Sequence, residues 1–294
     1  MKINAFLTAL LMLAAGGAGA AARPDMVVEG VQMPAWVERA SGVRDPLATG
    51  EALYSKDRIV TGPGARALLR LADGSLVKLG ENGILALDDL GQRKIKLKDV
   101  VTASLDVVSG AFRFTTQALS RFRGERDVKV RIATITAGIR GTDLWGKADK
   151  ARDIVCLIEG NISVVRDQQA FTMDQPMSFY IAPRNAPAQP VAPVSKEQLD
   201  LWSAETEIAP GAGAARKGGA WRVYLLDANN QDDALKAYDR LRNAGYAAEI
   251  RPVTSEAGTN YRLRISHLAS KQEAVALAGK LKGRLGIAEP KVSR

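Results

Sequence analysis

The sequence is poor in the residues that carry most metal and thiol chemistry. Its 294 residues include one cysteine, Cys156, and one histidine, His267. A lone cysteine excludes an intrachain disulfide, and no cluster of His and Cys ligands can build a zinc site. Nucleophilic catalysis by a Cys–His pair would need Cys156 and His267 to meet across the chain. Aromatic residues make up only 5%, and the aromatic pattern of an RNA-recognition module is missing. Long apolar runs are also scarce: beyond the N-terminus nothing approaches the ~20 residues that span a bilayer.

What is present is an ordinary globular composition, 46% hydrophobic and 25% charged, with mean hydropathy −0.09. That excludes wholesale disorder and a polytopic membrane protein, and the length predicts about two domains. The 41 basic residues against 32 acidic ones give a net charge of +9, a balance that favours anionic polymers or surfaces.

Residues 1–22 carry the pattern of a secretory signal peptide. Lys2 precedes an apolar run from Ala5 to Ala15, small residues follow, and Ala20-Ala21-Ala22 is an A-x-A cleavage site before Arg23-Pro24. The strongly apolar part is too short for a membrane anchor. The expectation is an exported, periplasmic chain with no transmembrane segment after cleavage.

Three segments follow. From Glu29 to about Ala182 the signals are β throughout. Ala67–Leu71 and Leu76–Leu79 flank the turn Ala72-Asp73-Gly74-Ser75, and alternation recurs in 94–98, 128–132 and 161–165. Short strands punctuated by glycine predict an all-β sandwich or a solenoid-like stack, and the pattern does not choose between them. Residues 183–219 read as a linker rich in Pro, Ala and Gly. It holds a short helix capped by Ser195, with Leu199 and Trp202 placed to dock it, and a mobile stretch from Ala209 to Gly219. Residues 220–294 read β-α-β-β-α-β. Strands are predicted at 221–226, 246–253, 260–266 and 287–292, and helices at 231–243 and after Ser270, with Glu273 at the capping-box position. That order predicts a four-stranded antiparallel sheet with two helices on one face and the other face open.

The first segment resembles the FecR-protein domain. The matching pieces are Asp57-Arg58-Ile59-Val60-Thr61, Asp73-Gly74-Ser75 with Leu79-Gly80-Glu81-Asn82, and Ser109-Gly110-Ala111-Phe112-Arg113-Phe114. Further pieces are Gly138-Ile139-Arg140-Gly141-Thr142-Asp143 and Glu159-Gly160. On elementary grounds the glycines make turns, and Arg140 with Asp143 forms a structural pair. In iron-uptake regulators this domain stands behind a cytoplasmic sigma-factor-binding segment and a transmembrane helix. Here it follows a signal pattern directly, so that regulatory activity is not expected. A binding or scaffold role is, with divisome or envelope proteins as partners.

The last segment resembles a SPOR domain, the sporulation-related peptidoglycan-binding module. Trp221-Arg222-Val223-Tyr224 stands where the family has its first strand, and Tyr261-Arg262-Leu263-Arg264-Ile265 where it has its third. The sequence departs from the family at Tyr224, at Leu226-Asp227-Ala228 and at Ser266. The resemblance implies peptidoglycan glycan strands denuded of stem peptides as ligand, and enrichment at the division septum.

Alternation turns Val223, Leu225, Leu263 and Ile265 towards the helices and leaves Arg222, Tyr224, Arg262 and Arg264 on the open face. A tyrosine ring stacks on a sugar, and arginines donate to hydroxyls, acetamido carbonyls and lactyl carboxylates. Asn260 and Lys291 flank the groove. Residues 221–294 hold 13 basic and 8 acidic side chains, a balance suited to free lactyl carboxylates. No catalytic residue, metal or cofactor is expected. The acids Glu81, Asp143 and Glu159 lie beside turn glycines without the spacing of a glycosidase pair, and export removes nucleic acid as a partner. An envelope-signalling or transport-associated scaffold, in which the SPOR-like part only tethers, is the alternative.

Overall fold

The structure is a computed structural model and describes residues 24–95, 98–116, 122–255 and 258–294; the expected signal peptide, residues 1–22, lies outside them. The β region forms two sheets around one apolar core. The first runs β16 (Ala214–Arg216), β1 (Met26–Gln32), β6 (Arg66–Leu71), β7 (Leu76–Leu79) and then the later part of β9 (Lys98–Thr115). It continues through parts of β11 (Ile135–Ala148) and β12 (Arg152–Arg166) to β14 (Ser178–Pro183) and β15 (Ala192–Pro193). β4 (Ala52–Leu53) adds to β1. The second sheet runs β3 (Arg44–Pro46), β2 (Ala35–Glu38), β5 (Arg58–Thr61), β8 (Ile84–Ile95), the first part of β9, β10 (Glu125–Ile132), the remaining parts of β11 and β12, and β13 (Gln169–Met173).

Three long strands, β9, β11 and β12, belong to both sheets and turn a corner between them. The motif residues mark those corners. Gly110 has φ +87° and Gly160 φ +88°, where a side chain is strained. A Cβ would also come within 2.6 Å of Gly83 at the first and 2.7 Å of the Gly141 carbonyl at the second. The register of β11 on β12 shifts between Arg140 and Asp143, a bulge that re-aims the strand. The Asp143 carboxylate accepts from Arg113, at 2.7 and 2.8 Å; the side chain of its expected partner, Arg140, lies outside what the structure describes. The resulting architecture is a sandwich, not a solenoid: Val28, Leu69, Phe112 and Phe114 of one sheet share a single core with Val37, Ile59, Leu85 and Val130 of the other. Each such fully buried side chain contributes ~1.5–3 kcal/mol.

The segment expected to be a spacer is docked at its helix and at its C-terminal end, while much of 184–191 is exposed. In α1 (Lys196–Ala204) the Ser195 hydroxyl accepts the Gln198 N–H at 3.2 Å, as the capping pattern predicts. Trp202 stacks on the buried Trp145, with ring centroids 4.8 Å apart and planes at 2°. Leu199 packs in the same cluster over Cys156 and Ile181. Residues 209–219, expected to be mobile, are held by a group sixty residues away. The Glu273 carboxylate accepts the N–H groups of Gly211, Gly213 and Ala214 at 2.6, 2.6 and 2.8 Å. It therefore does not close the reciprocal capping box that its position predicts.

The last region comprises β17 (Trp221–Ala228), α2 (Gln231–Asn243), β18 (Glu249–Ser255), β19 (Gly258–Leu268), α3 (Lys271–Leu281) and β20 (Lys291–Ser293). Its strands lie in the order β18-β19-β17-β20, all antiparallel. Asn230 and Ser270 cap the two helices. The second strand starts at Glu249 rather than Tyr246, because 245–247 face the sandwich: Ala35 donates to the Gly245 carbonyl at 3.1 Å, and Ala247 to the Met33 sulfur at 3.4 Å. The last strand starts at Lys291 rather than Ile287, which is used in a bridge to Arg284. Strand β16 pairs with β1 on one side and, through Ala215 and Leu268, with β19 on the other. The first sheet thus continues into the C-terminal one, and Arg242–Asp45 at 2.7 Å ties the regions at a second point.

Candidate functional site

The C-terminal sheet has one apolar and one polar side. Val223, Leu225, Leu263 and Ile265 are buried with Ala234, Ala237 and Leu241 of α2 and Ala274, Leu277 and Leu281 of α3. The opposite side is polar, and its rows follow from the register. Tyr224 lies between Arg264 on β19 and Lys291 on β20, and Arg264 is followed by Glu249 on β18. In the next row Asp227 faces Arg262, which is followed by Arg251.

Asp227 reaches this side through a bulge. The register of β17 on β19 shifts between Tyr224 and Leu226, so Leu225 is an extra residue and alternation restarts one position later. Regular alternation from Tyr224 would expose Leu226 and turn Asp227 towards the helices. With the bulge, Leu226 pairs with the buried Leu263, and Asp227 joins the open side.

The side chains there are linked. Arg262 Nε and Nη2 donate to the two Asp227 oxygens at 2.8 and 3.0 Å, and the guanidinium lies 5.2 Å from the Tyr224 ring centroid. Arg264 Nη2 reaches Glu249 at 3.4 Å, and Glu249 also takes Arg251 at 2.8 Å. Tyr224, Leu226, Asp227, Arg262, Glu289 and Lys291 line a cleft of about 280 Å³. Small-molecule pockets run from about 300 to 1,000 Å³, so this cleft suits one unit of a polymer. Of the expected residues, Tyr224, Arg262 and Lys291 line it. Arg222 bonds the Tyr224 hydroxyl, Arg264 stands beside the cleft, and Asn260 is exposed two residues beyond Arg262, outside the lining.

The charges follow from these contacts. The hydrogen bond from Arg262 holds the Asp227 carboxyl below the usual range, and donation by Arg222 lowers the Tyr224 hydroxyl. Burial pushes Glu249 up, but Arg251 and Arg264 outweigh it and leave the carboxyl lowered. Sequence reasoning missed Asp227, Glu249 and Glu289. The only signal for Asp227 was an acid where the family has a small residue.

A larger concavity, about 650 Å³, lies in the β sandwich between the 81–82 turn, the 147–150 hairpin and the end of α1. Val108 is on its surface, Lys147 pairs across it with Glu205 at 2.7 Å, and Arg184 is held by Asp153 at 2.9 Å. Cys156 is buried under α1, whereas His267 is exposed on β19, so the two do not meet. Among the described residues no group of three or more His, Cys, Asp or Glu is placed to hold a metal, and no helix is long and apolar enough to cross a membrane.

Comparison with known proteins gives two kinds of result. Two crystal structures of a proposed anti-sigma factor from Parabacteroides distasonis ATCC 8503 are similar at 17% and 13% identity, with TM-scores of 0.39 and 0.38. The matches cover 74% and 69% of this chain and 87% and 96% of those chains. Likeness at that level establishes neither fold nor function. No match was found among curated proteins. Family models match in two places, FecR protein over residues 57–163 and SPOR domain over residues 217–290. The chain therefore carries a FecR-protein match followed by a SPOR-domain match, in the order that the sequence motifs indicate.

Proposed function

We propose that this is a non-enzymatic, periplasmic peptidoglycan-binding protein. In this reading residues 220–294 hold denuded glycan strands at the division septum, and residues 29–182 present a scaffold surface to an envelope or divisome protein. The SPOR-domain match supports the ligand class. The observation that carries the reading is the cleft where Tyr224, Arg262, Asp227 and Lys291 meet on the solvent side of the sheet. An aromatic ring beside charged, hydrogen-bonding side chains is a surface for sugar rings and their substituents.

Co-sedimentation with sacculi, with and without an amidase that removes stem peptides, tests the reading. Binding that rises after treatment is the expected result. Tyr224→Ala with Arg262→Ala should abolish it while circular dichroism stays unchanged. Retained binding by that variant would remove the sheet face from the site.

The 650 Å³ concavity favours a second reading, in which the sandwich binds a protein or small ligand in envelope signalling or transport and the C-terminal domain only tethers it. The double variant would then leave the wall but keep the partner's occupancy of the concavity. A Lys150→Glu variant would lose that occupancy.

A further inference from the structure

The cleft is not the positively charged surface that the domain's net charge implies. Among the described side chains lining it, Asp227 is paired with Arg262, Glu289 is paired with Lys282 at 2.7 Å, and Lys291 stands beside them. Beside it, Glu249 sits between Arg264 and Arg251. Lys236, Arg240, Lys271, Lys280 and Arg284 lie on the helices or just after them, away from the open face. A site built to capture carboxylates by charge would not place an acid against its central arginine, where the acid cancels the field and occupies the guanidinium fork.

We infer that Asp227 is a ligand-contacting, specificity-determining residue of this cleft. Its carboxylate accepts hydrogen bonds from hydroxyl or acetamido N–H groups, so the cleft selects an uncharged N-acetylhexosamine unit of the glycan by matched polar geometry rather than by positive charge. The inference rests on the glycan-binding reading above and adds the sugar class and the residue that selects it.

The geometry is specific. An ionised carboxylate offers about four lone-pair positions, and Arg262 uses two of them. The Asp227 side chain remains 49% exposed, so the others face solvent above the cleft. The bidentate pair fixes the orientation of the carboxylate, and the Tyr224 ring beneath Arg262 fixes the guanidinium. Little ordering is then left for the ligand to impose. Once a ligand covers the cleft, an acceptor left without a donor partner counts against the wrong ligand. A unit whose hydroxyl donors are blocked is the one this cleft should refuse.

The experiment uses the purified protein on amidase-treated sacculi, with Asp227→Asn compared with wild type and with Asp232→Asn. The second variant removes the same charge on α2, away from the sheet face. Asp227→Asn should weaken binding about tenfold, the equivalent of ~1.4 kcal/mol, with unchanged circular dichroism, and Asp232→Asn should bind as wild type does. An uncharged N-acetylglucosamine oligomer should displace the protein, and polyglutamate should not. If charge capture operates instead, Asp227→Asn binds equally or more tightly and polyglutamate competes; either result overturns the inference while leaving glycan binding standing. Failure of the wild type to bind any sacculus preparation overturns both.

Discussion

Two arginine–aspartate pairs bridge neighbouring strands with the same bidentate geometry and in opposite surroundings. In the sandwich, Arg113 and Asp143 are only 20% and 14% exposed, and the Thr115 hydroxyl donates to the same carboxylate at 3.3 Å. On the C-terminal sheet, Arg262 and Asp227 are 38% and 49% exposed, and a tyrosine and a cleft lie beside them. In the first pair the protein itself consumes the hydrogen-bonding capacity, Glu207 adding a longer contact to Arg113 at 3.5 Å, and removing a partner breaks bonds that solvent replaces poorly. In the second, solvent or a ligand takes what the pair leaves over. Burial, not pairing, separates a structural pair from a recognising one.

The largest effect expected from breaking this contrast is on the buried side. Asp143→Ala should cost about 3 kcal/mol, because Arg113 loses both charge-assisted hydrogen bonds and keeps only the longer contact to Glu207 at 3.5 Å. Asp227→Ala should cost less than ~1 kcal/mol. Denaturant unfolding of the two variants checks the difference, and equal losses would mean that burial does not distinguish the pairs. Next in size is the seam between the regions. Glu273→Gln keeps the shape but removes the charge that three backbone N–H groups share, and about 2 kcal/mol should be lost. Faster amide exchange confined to 209–216 would locate the loss in the seam.

Two titrations sharpen the contrast further. Cys156 lies near Arg113 and Asp143, and burial, with a smaller contribution from Asp143, pushes its thiol up to about 12. The native protein should resist thiol reagents at pH 8 and react once unfolded. Between the ordinary thiol value near 9.0 and about 12 the native state holds a proton that the unfolded state has lost. That contribution to stability is full below the window and disappears as pH rises through it. The smallest effect is on tyrosine. Tyr224, beside the exposed pair, should ionise below the usual tyrosine range because Arg222 bonds its hydroxyl, whereas burial should make Tyr246 ionise above it. Ultraviolet titration of Tyr224→Phe and Tyr246→Phe separates the two.

Much of this architecture was legible in the sequence because it depends on near neighbours. The helix after Asn230 begins and ends where periodicity places it, since amphipathic spacing is local. The docking of α1 through Trp202 was also readable from its apolar spacing. The seam was not. A Gly/Ala-rich stretch has the composition of a loose linker, and nothing within it reveals that its N–H groups meet Glu273 far along the chain. The cleft was half legible. Alternation places Tyr224, Arg262 and Arg264 on one side, but it breaks at the bulge and hides Asp227.

The sequence by itself determined the β character of the first region, the β-α-β-β-α-β order of the last, and the absence of thiol pairs and histidine clusters. These depend on residue type and on spacing within a few residues. Only the tertiary structure decided that the two regions share a continuous sheet through β16, that three strands turn corners at Gly110, Gly141 and Gly160, and that an aspartate neutralises the arginine at the centre of the sheet face. Each of those depends on strand register, which long-range pairing sets and local preference leaves open.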